Sequence, residues 1–461
     1  MSDAINAVLN GLAEAKISFA TDQEVVESHS RDHTGTLPTN RAGALVRATS
    51  TEDVQTVMRL ASQHGVTVVP QGARTGLAGG ANATDGALLL DVTGMNQVVS
   101  VDADNRLAVV QPGVLNADIS RAAQPHNLRY APDPGSWEIS TIGGNIATGA
   151  GGMCCVKYGV TSEYVLALEV VLASGEVMRC GRNTAKGVAG YDLVRLFVGS
   201  EGTLGVVTEA TLKLSPIPQQ RLSLAAVFDS TAEAGNAVSA IMSDGLQPSL
   251  LELVDGVHMR ALEDMRPSGL PTDAAALLLA ASDSSHPETE LSAIAAHCEV
   301  AGASEVHQAT DAYEAEALLQ ARRDAYHAME SLGAVLVDDV AVPRTQLAKT
   351  LDGVEAIAKK HGVLIGVIAH AGDGNLHPNI IVDLTDPESV AACEAAFEEI
   401  LELALSMGGT VTGEHGVGLL KRDWLRSELD GVNLRVQHSI KQALDPQGIL
   451  NPGKVLPPLE K

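Results

Sequence analysis

Three of the fourteen histidines stand in glycine-studded turns, where the backbone can aim an imidazole. His370 and His377 bracket AGDGNL within AHAGDGNLHPN (369–379), and His415 follows Glu414 in TGEHGVG (412–418). AGDGNL is turn chemistry, able to fold back and point both rings at one spot. A histidine pair alone more often serves a core or a surface. Glu414, 37 residues after His377, adds a hard carboxylate in a second glycine-flanked turn. Two imidazoles and one carboxylate suit a divalent cation and leave coordination positions open. The helical stretch LLQARRDAYHAME (318–330) offers Arg322 and Arg323, whose planar forks match a carboxylate. An exposed helical charge pair explains the same two residues nearly as well.

The second chemical signal is glycine. PQGARTGLAGGA (70–81), DPGSWEISTIGGNIATGAGG (133–152) and VGSEGTLGVVTEATLKL (198–214) are three glycine-rich stretches following strand-like segments. Backbone N–H groups in such turns cradle phosphate oxygens, and three within about 140 residues point to a large phosphorylated ligand. No Gly-Lys-Ser or Gly-Lys-Thr occurs, and the glycines at 72, 76, 79 and 80 do not make G-x-G-x-x-G. P-loop and Rossmann dinucleotide sites are therefore disfavoured.

The elements that must carry these residues are partly readable. ALVRA (44–48) reads as a strand, Thr49–Asp53 as a helix start, DVQTVMRLASQH as an amphipathic helix closed by Gly65, and VTVVP (66–70) as a strand. That β-α-β unit delivers the first glycine-rich loop. Ser215-Pro216 marks a change to Ala-, Glu- and Leu-rich sequence. We expect an N-terminal helical segment over 1–40, a ligand-binding domain over 41–216, a substrate domain over 217–425 and a docking C-terminal segment over 426–461.

Composition sets the outer limits. The 461 residues are 45% hydrophobic and 19% charged, which supports a large core and excludes a disordered chain. Fifty-seven acids against 31 bases give a net charge of −26, the wrong sign for binding nucleic acid or anionic lipid. No 18-residue apolar run is present, so no membrane-spanning helix is expected. Five cysteines, Cys154, Cys155, Cys180, Cys298 and Cys393, show no disulfide framework. With no signal peptide in view, a cytoplasmic location is expected.

PQGARTGLAGGA, STIGGNIATGAGG, KYGVT (157–161) and LFVGSEGTLGVVTEATLKL together resemble the PCMH-type flavin-binding domain of the vanillyl-alcohol oxidase fold. More narrowly they resemble the branch of D-lactate dehydrogenases, glycolate oxidase catalytic subunits and D-2-hydroxyglutarate dehydrogenases. The resemblance implies an α+β fold: a two-subdomain FAD-binding domain, a substrate domain built on an antiparallel sheet, and a C-terminal tail returning to the flavin. It implies non-covalent FAD, with Pro70, Gly72, Arg74, Thr75 and Gly76 at the pyrophosphate. Pro134, Thr141, Gly143, Gly144, Thr148, Gly152, Gly205 and Val207 would lie against the rings, with Asn451 of LNPGK (450–454) as a further contact.

By the same resemblance His370, His377 and Glu414 hold a divalent metal, zinc or manganese, and His415 is the base that takes the substrate hydroxyl proton. Asn379 and Arg322 contact the substrate, Arg322 at its carboxylate. Where D-2-hydroxyglutarate enzymes carry a threonine and a lysine, this chain has Tyr326 and Val337. That departure favours a small monocarboxylic D-2-hydroxy acid such as D-lactate or glycolate; the other reading is that Tyr326 and Val337 shape a pocket for a larger apolar 2-hydroxy acid. The alternatives are D-2-hydroxyglutarate oxidation and a non-redox reaction like that of alkyl-dihydroxyacetone-phosphate synthase. The expected electron acceptor is a quinone, an electron-transfer protein or oxygen, and a homodimer is among the assemblies allowed.

Overall fold

Local capping sets the first elements. The computed structural model describes residues 3–37, 40–309 and 312–459, and its chain divides into two units. The first is Met1–Gly151, Val160–Ile217 and Glu414–Lys461; the second is Gly152–Gly159 and Pro218–Gly413. The first unit opens with α1 (Asp3–Glu14), β1 (Ser18–Ala20), β2 (Ala44–Arg47), α2 (Thr51–His64), β3 (Val68–Gln71) and β4 (Leu88–Asp91). Ser50 Oγ accepts the Asp53 N–H at 3.1 Å to start α2, and Gly65 ends it at φ 64°. The stripe Val54, Val57, Met58 and Ala61 turns into the core with Val8 and Leu12 of α1. The strands run in the order β1-β2-β4-β3, with β4 parallel to both β2 and β3. All of Leu88–Asp91 is buried, as befits a parallel strand covered on both faces.

A second sheet of this unit is antiparallel. It joins β5 (Val98–Asp102), β6 (Leu107–Val110), β7 (Val165–Val171), β8 (Val177–Gly181) and β9 (Val206–Lys213) in the order β5-β6-β9-β7-β8. Between β6 and β7 the glycine-rich residues Ile142–Thr148 form a helix, α3, rather than a loop. Thr141 caps it and Gly149 ends it at φ 73°. The glycines cost helix propensity, but packing demands one at 143, where a Cβ would lie 2.6 Å from Pro112 Cβ.

The second unit contains β10 (Leu222–Phe228), α4 (Thr231–Ser243), β11 (Leu250–Asp255), α5 (Gly256–Met265), β12 (Ala276–Ser282), α6 (Pro287–Ala301) and β13 (Glu305–Gln308). Then come α7 (Ala312–Glu330), β14 (Ala334–Val337), β15 (Val340–Ala341), α8 (Leu347–His361), β16 (Ile365–His370), β17 (Asn375–Val382) and α9 (Pro387–Ser406). The strands make one antiparallel sheet, β13-β10-β12-β11-β16-β17-β14, with β15 also pairing β17. One face packs on α5 and α7 through Leu250, Val254, Ile368, Met259, Leu262, Ala325 and Met329. The remaining helices cover the other face.

Two stretches divide differently from the sequence expectation. Residues 152–159 go to the second unit because Lys157 and Tyr158 both bond Asp283, the tyrosine at 2.6 Å. The chain re-enters the first unit at Glu414, not near 426, because Val417 and Gly418 bond Glu201 while Leu419 and Leu420 bond the Ala78 carbonyl. The last helix, α10 (Gly431–Leu444), is capped by Asp430. Beyond it Leu450 extends β3 by a parallel bridge at Val68, and Lys441 Nζ holds the Leu450 and Thr203 carbonyls. No helix among the described residues is long and apolar enough to cross a membrane.

Candidate functional site

The hairpin β16–β17 sets the polar side chains of the second unit. Its turn closes with Asp373 N–H on the His370 carbonyl and Gly374 N–H on the Ala371 carbonyl. Gly374 sits at φ 77°, where a Cβ would come 2.2 Å from the Val342 carbonyl. Register pairs His370 with Asn375, Ile368 with His377 and Gly366 with Asn379, so all of these share one sheet face. The His370 and His377 rings meet edge to face, centroids 5.0 Å apart.

A buried carboxylate stands beside each ring. Glu252 of β11 accepts His370 Nδ1–H at 2.9 Å on each oxygen and is itself paired with Arg322 Nη2 at 2.8 Å. This fixes the imidazole proton on Nδ1 and leaves the Nε2 lone pair for a ligand. His377 Nδ1 lies 3.7 Å from Asp339 Oδ1. Asp339 in turn accepts from Asn375 Nδ2 at 2.7 Å, Thr412 Oγ1 at 2.8 Å and Gly413 N–H at 2.9 Å. The residue before Glu414 is thereby tied to the carboxylate beside His377.

Asn379 is held from below by a residue the sequence did not reveal. His258 of α5 donates Nδ1–H to Asp255 and accepts Asn379 Nδ2–H, both at 2.9 Å. The same Nδ2 donates to the His377 carbonyl at 3.3 Å, so Oδ1 is the amide's open atom. That buried oxygen has no partner among the described residues. Gly366 makes room: a Cβ there would lie 2.6 Å from His258 Nδ1. Val337 of β14 stands directly across from Asn379 on the same face.

On α7 the two arginines stand in different surroundings. Arg322 is buried against Glu252, and its Nε has no partner among the described residues. Arg323 turns outward to Glu316 and Gln320. Tyr326, one turn beyond Arg322, is half-buried, and burial pushes its phenol up to about 12, so it stays neutral. Expected as a direct carboxylate contact, Arg322 thus first neutralises Glu252.

The first unit holds the other expected residues, except Gly152, which lies in the second. Among the described residues the amide N–H groups of Ala73, Arg74, Thr75 and Gly76 find no backbone acceptor. Arg74 takes φ 58° and is half-buried. Pro70 packs on Gly202, where a Cβ would lie 3.2 Å from Pro70 Cγ. Gly72 backs onto α3: a Cβ there would lie 2.2 Å from Thr141 Oγ1. These open donors, which follow Gly72 where it backs onto Thr141 and Gly144, suit a diphosphate. Pro134 begins the turn closed by Trp137 N–H, Gly205 packs on Val170, and Val207 of β9 pairs with Val170 of β7.

Asn451 differs from expectation. Its Nδ2 donates to the Gly80 and Glu201 carbonyls, and its Oδ1 accepts from Lys454. Those bonds lock the tail and leave the side chain no spare donor for a cofactor. Glu414 lies against Gly151, where a Cβ would come 2.3 Å from Glu414 Oε2, and His415 Nε2 is 4.0 Å from Glu414 Oε1.

Glu252 and His258 were missed because their partners are about 120 residues away. A faint signal existed, since an acid interrupts the apolar run LLELVD.

Comparison with known proteins identifies the family. Residues 42–181 match the FAD binding domain family, and 217–455 match the C-terminal domain of FAD linked oxidases. The glycolate oxidase subunit GlcD of Bacillus subtilis is 42% identical over 415 residues, 89% of this chain and 88% of the relative. A D-lactate dehydrogenase of Anaerostipes hadrus is 36% identical over 445 residues, 94% and 93% of the two chains. The structure of 4-ethylphenol oxidase from Gulosibacter chungangensis superposes with a TM-score of 0.80 at 20% identity, covering 99% of this chain and 98% of that one. By these matches the chain belongs to the FAD-linked oxidases and is a flavin-dependent oxidoreductase.

Proposed function

We propose that this protein oxidises a small D-2-hydroxy acid, of the D-lactate or glycolate kind, to its 2-oxo acid. The observation that carries this reading is the polar row on the β16–β17 face: His370 on Glu252, His377 beside Asp339, and Asn379 with an open oxygen. The relatives named for glycolate and D-lactate support the same substrate class. The donor set fits a divalent cation, zinc or manganese, held by His370, His377 and Glu414. FAD, when bound, supplies the hydride acceptor, and the cation, when bound, lowers the pKa of the substrate hydroxyl.

The chain's own side chains supply the rest. His415 accepts the hydroxyl proton on an imidazole nitrogen. Asn379 presents an acceptor, which suits a hydroxyl and repels a carboxylate oxygen. Arg322 keeps Nε–H for one oxygen of the substrate carboxylate while its Nη2 holds Glu252. A second carboxylate, as in D-2-hydroxyglutarate, would meet Val337 and neutral Tyr326 rather than a cation. A non-redox reaction has less need of a metal set, so chelation separates the two.

The test is anaerobic mixing of the flavin-replete, manganese-loaded protein with a panel of D- and L-2-hydroxy acids. Bleaching of the yellow absorbance by D-lactate or glycolate, abolished by a chelator, is expected. A preparation that no 2-hydroxy acid bleaches refutes the proposal.

A further inference from the structure

Glu201 is a buried carboxylate in a backbone conformation that non-glycine residues avoid, φ 50°. Its N–H donates to the Ala147 carbonyl at 2.8 Å, and its own carbonyl accepts Asn451 Nδ2–H at 2.7 Å. The backbone is held at both ends, so the side chain has one direction in which to point. Its Oε1 accepts the Val417 N–H at 2.7 Å, and the Gly418 N–H reaches both oxygens at 3.0 to 3.1 Å. The neighbours are shaped to admit it. A Cβ at Gly80 would lie 2.7 Å from Oε2, and one at Gly416 2.9 Å from Oε1.

A carboxylate is a costly way to fill this space. Burial pushes Glu201 up to about 7, with Asp32 adding to that and Lys454 opposing it. Packing alone would be served more cheaply by an apolar side chain. What an apolar residue cannot do is bond two consecutive backbone N–H groups. Those groups lie two and three residues after His415, and the next two amides, of Leu419 and Leu420, bond the Ala78 carbonyl. Residues 417–420 are therefore clamped between the glycine-rich loop and Glu201, and Glu414-His415 enter that clamp directly.

We propose that Glu201 is a positioning residue: its carboxylate sets the turn that presents Glu414 as a metal ligand and His415 as the proton acceptor. This rests on the hydroxy-acid oxidation proposed above. The test uses Glu201→Gln in the flavin-replete protein, with Glu201→Asp as the conservative partner should the amide variant fold poorly. Three quantities are read: amide hydrogen exchange at Val417 and Gly418, manganese affinity, and kcat against KM.

Exchange at both amides should accelerate at least tenfold, and manganese affinity should weaken by about 10- to 100-fold. The rate constant should fall at least tenfold, with a smaller change in KM. A lowered thermal midpoint with wild-type exchange overturns the proposal. So does accelerated exchange with unchanged ion affinity and kcat, which would make Glu201 a fold anchor only. If the wild type oxidises no hydroxy acid, the function assigned above fails, while exchange and ion binding still read the turn.

Discussion

Replacing Glu252 with Gln isolates one charge without opening a cavity, since the two side chains are nearly isosteric. Arg322 Nη2 and Glu252 Oε2 are 2.8 Å apart, with side chains only 7% and 1% exposed. Removing one member of such a pair costs about 3–5 kcal/mol because the other charge stays buried and uncompensated. For a unit of about 200 residues, 1 kcal/mol moves the midpoint by roughly 2–4 °C, so a fall of about 6–20 °C is expected. His370 would still meet an amide oxygen, but a neutral acceptor makes a weaker bond than a carboxylate. Manganese affinity should therefore drop about 10- to 100-fold. Adding Arg322→Met removes the orphaned charge and should recover most of the stability while leaving ion affinity low. Calorimetric melting and manganese titration of the three proteins separate the two effects. Wild-type affinity in Glu252→Gln would refute the idea that this carboxylate aims His370.

Val337→Lys puts a cation across from Asn379 and should raise kcat/KM for D-2-hydroxyglutarate relative to D-lactate by about tenfold; an unchanged ratio removes Val337 from the pocket. Because the Tyr326 phenol stays neutral to about 12, Tyr326→Phe should alter KM and leave the pH profile of kcat in place. Loss of a titrating limb in that variant would contradict the assignment. Gly151→Ala places a Cβ 2.3 Å from Glu414 Oε2 and should weaken manganese binding about tenfold, measured by titration, with an unaltered constant counting against Glu414 as ligand. Glu201 holds its proton in the fold up to about pH 7 but releases it near 4.5 when unfolded, so its contribution to stability is lost as the pH rises through that window. The melting midpoint of wild type minus that of Glu201→Gln should fall between pH 5 and 7.5, and a flat difference would show that Glu201 does not titrate there.

Much of the candidate site was readable because its signals are short-ranged. The paired histidines of AHAGDGNLHPN belong to one hairpin, so their approach follows from turn chemistry and alternation along a strand. Ser50, Asp53 and Gly65 mark the ends of α2 by contacts within a few residues. Where a local signal competed with packing, the reading failed: residues 142–148 carry glycines that suggest a loop, yet Thr141, Gly149 and the contact with Pro112 make a helix. The two arginines of α7 were equivalent by composition; the family resemblance singled out Arg322, and only the tertiary structure reveals that it pairs with buried Glu252 while Arg323 turns outward.

The amino-acid order by itself determined the flavin fold, the clustering of glycines that frees the amides of residues 73–76, and the candidate ligand and base residues. Tertiary structure alone decided which groups hold them: Glu252 behind His370, His258 behind Asn379, and Glu201 behind the turn after His415. The physical reason is separation along the chain. Caps, turns and hairpins join near neighbours and leave a pattern in the sequence, whereas the partner of a buried charge is chosen only when distant strands pair and close the space around it.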